Sequence, residues 1–128
     1  MSYHFTKKIQ LSFEEALRKV TEELKSEGFG INTEIDLREK FKEKLDVEFR
    51  NYKILGACNP KMAYQAIEQE RNIGTMLPCN VVVQELEDGG VEVSAINPME
   101  SMSSVDNQQL EPIASQVSSH LKVVIDKL

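Results

Sequence analysis

The sequence predicts an α+β fold organised as one domain over residues 1–128. Three observations carry this reading. Runs with period-two hydrophobicity alternate with runs at helical spacing. The 128-residue length suits a single core closed without disulfides or a structural metal. Between Asn80–Leu86 and Val91–Ile96 stands Glu-Asp-Gly-Gly, whose glycines supply the turn of a β-hairpin.

The elements follow in order. Tyr3 to Ile9 sets Tyr3 and Phe5 against His4 and Thr6, the alternation of a half-buried strand. Ser12 and Glu15 form a capping box, and Phe13, Ala16, Leu17, Val20 and Leu24 continue at helical spacing until Gly28. Phe29, Ile31, Thr33 and Ile35 predict a second strand. Asp36 and Glu39 repeat the capping geometry before a short surface helix with Leu37, Phe41 and Leu45. Glu48 to Ala57 reads as a third strand whose apolar phase slips between Phe49 and Tyr52, as at a bulge. Asn59 is the expected cap of the next helix, with Pro60 in its first turn and Met62, Ala63, Ala66 and Ile67 on its buried face. Residues 73–78 break that pattern, and the hairpin follows. Asn97 to Asn107 has turn composition and is expected to be a loop. Leu110 to Leu128 is an amphipathic helix, with Pro112 confined to its first turn because an interior proline would cost about 3 kcal/mol.

Composition excludes several functions. Fifteen basic residues against 21 acidic ones give a formal charge of -6, which repels a phosphate backbone, so nucleic acid is not expected as a partner. No apolar run approaches the roughly 20 residues that span a bilayer, so no membrane association is expected. The N-terminal residues lack the apolar core of a signal peptide, which predicts a cytoplasmic location. The glycines mark a helix end and a hairpin, not a phosphate loop.

The residues with chemical potential are Cys58-Asn59-Pro60 and Pro78-Cys79-Asn80. In each phrase a thiol stands where the chain turns at a strand end. Cys58 precedes the cap Asn59, a position where unpaired amides and the helix dipole favour a thiolate. Against that stand two plain roles: a cysteine is a small buried hydrophobe, and Asn59 has sufficient work as a cap. Two cysteines without a C-x-x-C pair or a neighbouring histidine motif fall short of a metal set, so no metal ligands are assigned. His4 and His120 are expected in structural roles, though sequence distance does not prevent either from meeting a cysteine. Met62, Met76, Met99 and Met102 read as core filler that could also line an adaptable pocket.

The stretch from Tyr52 to Pro60, then Ile73-Gly-Thr-Met-Leu-Pro-Cys-Asn-Val-Val-Val83, then Val93-Ser-Ala-Ile-Asn-Pro98, resembles the family called domain of unknown function 302 over nearly the whole chain. The resemblance implies a two-layer antiparallel sheet with helices packed on it, similar to the TATA-binding-protein-like architecture, and a homodimer. It implies no activity and identifies no cofactor. The expectation drawn from all this is a non-enzymatic module binding a small molecule or ion at Cys58, Asn59, Cys79 and Asn80. The competing reading is a thiol-dependent redox protein or enzyme, with Cys58 attacking and Cys79 resolving. A third is purely structural.

Overall fold

A computed structural model describes residues 2–128. Its strands are β1 (His4–Ile9), β2 (Gly30–Asp36), β3 (Tyr52–Cys58), β4 (Cys79–Glu85) and β5 (Val91–Ile96), and its helices are α1 (Phe13–Ser26), α2 (Leu37–Leu45), α3 (Pro60–Gln69), α4 (Pro98–Ser101) and α5 (Glu111–Asp126). The strands form one open antiparallel sheet in the order β1-β5-β4-β3-β2. The predicted two-layer α+β architecture is the observed one.

Strand alternation sorts the side chains onto two unlike faces. Leu55, Ala57, Val81, Val83, Val91, Val93 and Ala95 share one face and are buried beneath Ala16, Val20 and Leu24 of α1 and Val117, Leu121 and Val124 of α5. Each valine or leucine taken fully out of water there contributes about 1.5–3 kcal/mol. A smaller cluster, Ala66, Ile73 and Leu110, joins α3 to the segment before α5. The other face carries Asn80, Val82, Gln84, Glu92, Ser94 and Ile96, none of them buried. At its margin Phe41 of α2 packs edge-on against Phe49 at 5.0 Å between centroids, and Phe49 lies 6.1 Å from Tyr52. Consistent with its narrow apolar stripe, α2 has no buried residue.

Local chemistry explains the boundaries. Ser12 Oγ accepts from the Glu15 amide, the N-cap half of the expected capping box, and its hydroxyl donates to the Glu15 carboxylate in place of the Ser12 backbone amide. α1 ends at Gly28, whose φ of +87° lets the Gly28 and Phe29 amides reach back to the carbonyls of Lys25 and Leu24. Three expectations are corrected. The third strand begins at Tyr52, so the phase slip after Phe49 marks the strand's start and not a bulge. The bulge lies instead in β2, between Ile31 and Thr33; it puts Ile31 on the core face and turns Ile35 outward, 43% exposed. The expected loop 97–107 contains α4, whose cap is Asn97.

Candidate functional site

The two Cys-Asn phrases meet at one end of the sheet because β3 and β4 are neighbours, with Ala57 opposite Cys79 and Gly56 opposite Asn80. Asn59 caps α3 as predicted, its Oδ1 accepting from the Met62 amide at 3.2 Å. Its amide end lies against the turn that closes α1: a Cβ built on Gly28 would be 2.9 Å from Asn59 Nδ2. Gly56 is equally constrained, because a Cβ there would collide with Thr33 Oγ1 and come within 2.7 Å of the Pro78 ring. Pro78 follows a cis peptide bond. One glycine and one proline thus set how closely the two phrases approach.

Three of the four predicted residues share a cavity. Cys58, Asn59 and Cys79 border a cleft of about 30 Å³, closed on its helical side by Met62, Met102 and Ile113. The walls are apolar and the space is that of a water molecule or two, far below the roughly 300 Å³ at which ligand pockets begin. Two of the four methionines read as possible pocket lining, Met62 and Met102, are at this cleft. Asn80 is not part of it. Alternation from the buried Cys79 turns Asn80 to the uncovered face, where it is exposed beside a shallow depression of about 290 Å³.

The cysteine pair required by the redox reading is not formed. Both thiols are free. Ala57 shares the buried face with Cys79, so the pleat turns the next side chain, Cys58, away from it. Burial, with a smaller contribution from neighbouring Cys58, pushes the Cys79 thiol up to about 11. Near neutral pH it is protonated and a poor resolving nucleophile. Neither histidine hydrogen-bonds to a thiol. His4 Nδ1 pairs with Thr6, whose hydroxyl meets Ser94 at 2.8 Å. His120 Nδ1 meets Glu27 Oε1 at 2.8 Å, joining α5 to the end of α1; that contact, with Lys127 beside it, holds the Glu27 carboxyl below its ordinary range despite partial burial. Among the described residues, no group of three His, Cys, Asp or Glu side chains is placed to hold a metal ion. No described helix is long and apolar enough to cross a membrane.

Sequence reasoning missed Asn97. It is 3% exposed, its Oδ1 accepts from the Met99 amide and from Ser118 Oγ at 2.8 Å, and its Nδ2 donates to the Ser2 carbonyl. The clue was present in Asn97-Pro98, which repeats the cap-and-proline pairing of Asn59-Pro60. Missed as well was the hydrogen bond from Arg50 to Gln84, whose cross-strand partner is Glu92.

Comparison with known proteins agrees with this geometry. The profile described as "Domain of unknown function DUF302" matches residues 5–128. The chain belongs to the DUF302 family. A crystal structure of an uncharacterized conserved DUF302 protein from Bacillus stearothermophilus superimposes with a TM-score of 0.91 at 26% identity, covering 99% of this chain and 98% of that one. A search of curated proteins returned no match. The family resemblance read from the Cys-Asn-Pro and Leu-Pro-Cys-Asn phrases is therefore correct, and in this DUF302 chain those phrases lie on adjoining strands at one sheet end.

Proposed function

We propose that this DUF302 domain is a non-enzymatic binding module that works as a homodimer and takes a small, largely apolar molecule into the cleft where the two Cys-Asn phrases meet. The observation that carries the reading is the convergence of Cys58, Asn59 and Cys79 on one apolar cleft lying beside both hydrophobic clusters. At about 30 Å³ the cleft must widen to admit a ligand. Met62 and Met102 provide for this, because an unbranched thioether side chain changes rotamer at small cost. The raised thiol of Cys79 and the hydrogen-bonded histidines favour binding over thiol chemistry. Dimerisation draws support from Tyr64 and Ile67, which lie three residues apart on α3 and are 67% and 46% exposed.

Methyl-detected NMR of methionine-labelled protein tests the site directly. Titration with indole and with a short-chain fatty acid should shift the Met62 and Met102 methyl signals saturably and raise Tm. Unmoved methyl signals and an unchanged Tm leave the cleft as packing alone. Sedimentation velocity tests the dimer independently; a monomer throughout the micromolar range removes that part of the proposal.

A further inference from the structure

The uncovered sheet face holds two opposite charges that have not paired. Glu92 is half-buried and, among the described residues, forms no ion pair and accepts no side-chain hydrogen bond, although Lys8 is its direct cross-strand neighbour. Lys8 is committed elsewhere, to Asp88 in the hairpin turn. Arg50 stands at the same end of the face. Its Nε donates to Gln84 Oε1 at 3.0 Å, and its guanidinium carbon lies 4.4 Å from the Phe49 ring centroid and 5.4 Å from that of Tyr52. It too forms no ion pair among the described residues. These contacts fix the guanidinium plane while leaving its two terminal nitrogens free to bind an anion.

Gln84 connects the two charges. It is the cross-strand partner of Glu92 and the hydrogen-bond partner of Arg50. Directly paired side chains on one face stand about 5 Å apart at Cβ, which sets Glu92 beside Gln84, and the hydrogen bond from Arg50 to Gln84 brings the guanidinium to the other side of that amide. Tyr52, Gln84, Glu92, Ser94 and Asn80 line a depression of about 290 Å³, and Arg50 borders it through its contacts with Gln84 and the Tyr52 ring. Amide and hydroxyl groups there supply neutral donors and acceptors, and the sheet gives them a rigid base. The bland alternative is that Glu92 and Arg50 are two solvated surface charges.

We propose that this depression binds a small zwitterion of the amino-acid type, with Glu92 receiving the ammonium group and Arg50 the carboxylate. The site is distinct from the cleft at Cys58 and Cys79, and it stands or falls apart from that reading. The test is two-dimensional NMR of uniformly labelled protein titrated with glycine, L-glutamine and γ-aminobutyrate, with methylamine and acetate as single-charge controls. The expected result is saturable shifts at the Gln84, Glu92 and Ser94 amides for a zwitterion, with weaker binding of both controls. E92Q and R50Q should each lower the affinity at least about tenfold, while E34Q, a surface change elsewhere on the sheet, leaves it unchanged. Circular dichroism confirms that each variant is folded. The proposal is overturned if no zwitterion shifts these amides at millimolar concentration, if acetate or methylamine binds as tightly, or if E92Q and R50Q leave the affinity unchanged.

Discussion

Replacing Gly56 by alanine tests the claim that close approach at this glycine sets the geometry of both Cys-Asn phrases. The added Cβ would collide with Thr33 Oγ1 and would sit 2.7 Å from Pro78 Cγ and 3.4 Å from Thr33 Cβ. The β-branched threonine can clear the site only by leaving its χ1 rotamer, at a cost, and the proline ring has no rotamer to change. Overpacking of this kind costs about 1–3 kcal/mol, offset by about 0.5–1 kcal/mol because alanine loses less backbone entropy than glycine on folding. The net expectation for Gly56→Ala is a loss of roughly 1–2 kcal/mol, with Tm falling by about 4–8 °C. Urea unfolding should show a lower midpoint at an unchanged slope, since the surface exposed on unfolding is the same. Adding Thr33→Ala removes one of the two collisions, so the double variant should recover about half of the loss as a coupling energy. A Gly56→Ala protein within about 0.5 kcal/mol of the parent, or a double variant whose losses simply add, would refute the close-approach argument.

Four further perturbations follow from the same structure. Because burial raises the Cys79 thiol from 9.0 to about 11, stability is complete below the unfolded value and declines as pH rises from about 9 towards 11, by at most roughly 2–3 kcal/mol; Cys79→Ala should flatten that part of the pH–stability curve. In the native protein Cys58, half-exposed, should react with a thiol reagent well before Cys79, which mass spectrometry of the labelled peptides will show. Asn97→Ala strands the Met99 amide and Ser118 hydroxyl and should cost about 3 kcal/mol in chemical denaturation, with Ser118→Ala costing about 1 kcal/mol and the pair coupled. Glu27 has a lowered carboxyl pKa, so its contribution is present above the unfolded value of 4.5 and is lost as pH falls through the lower folded value; Glu27→Gln should remove about 1 kcal/mol at neutral pH and weaken the acid dependence, read from urea midpoints between pH 3 and 7.

What could be read from the sequence was whatever rests on local rules. Caps at Ser12, Asp36 and Asn59 and the Gly28 helix stop were correct because a side chain and an amide three residues apart decide them. The family phrases were readable for the same reason. The β2 bulge was not, because Ile31, Thr33 and Ile35 keep their alternation on paper; only the pairing with β3 reveals the extra residue that turns Ile35 outward. Asn80 was grouped with Cys79 by adjacency, yet adjacency within a strand means opposite faces. Arg50, Gln84 and Glu92 span 43 positions of sequence and acquire a common location only once β3, β4 and β5 are laid side by side.

The strand order has a consequence for when the uncovered face comes into being. β2 to β5 pair with successive neighbours along the chain, but β1 joins β5 through His4 and Ile96, closing a loop of some 90 residues. Closing it costs more chain entropy than any of the other pairings, and it can be repaid only after β5 is in place. Tyr3 and His4, which line one side of the depression, arrive with that closure. The depression therefore lacks that side in any intermediate holding only the four-strand meander, and it is complete only in the closed sheet.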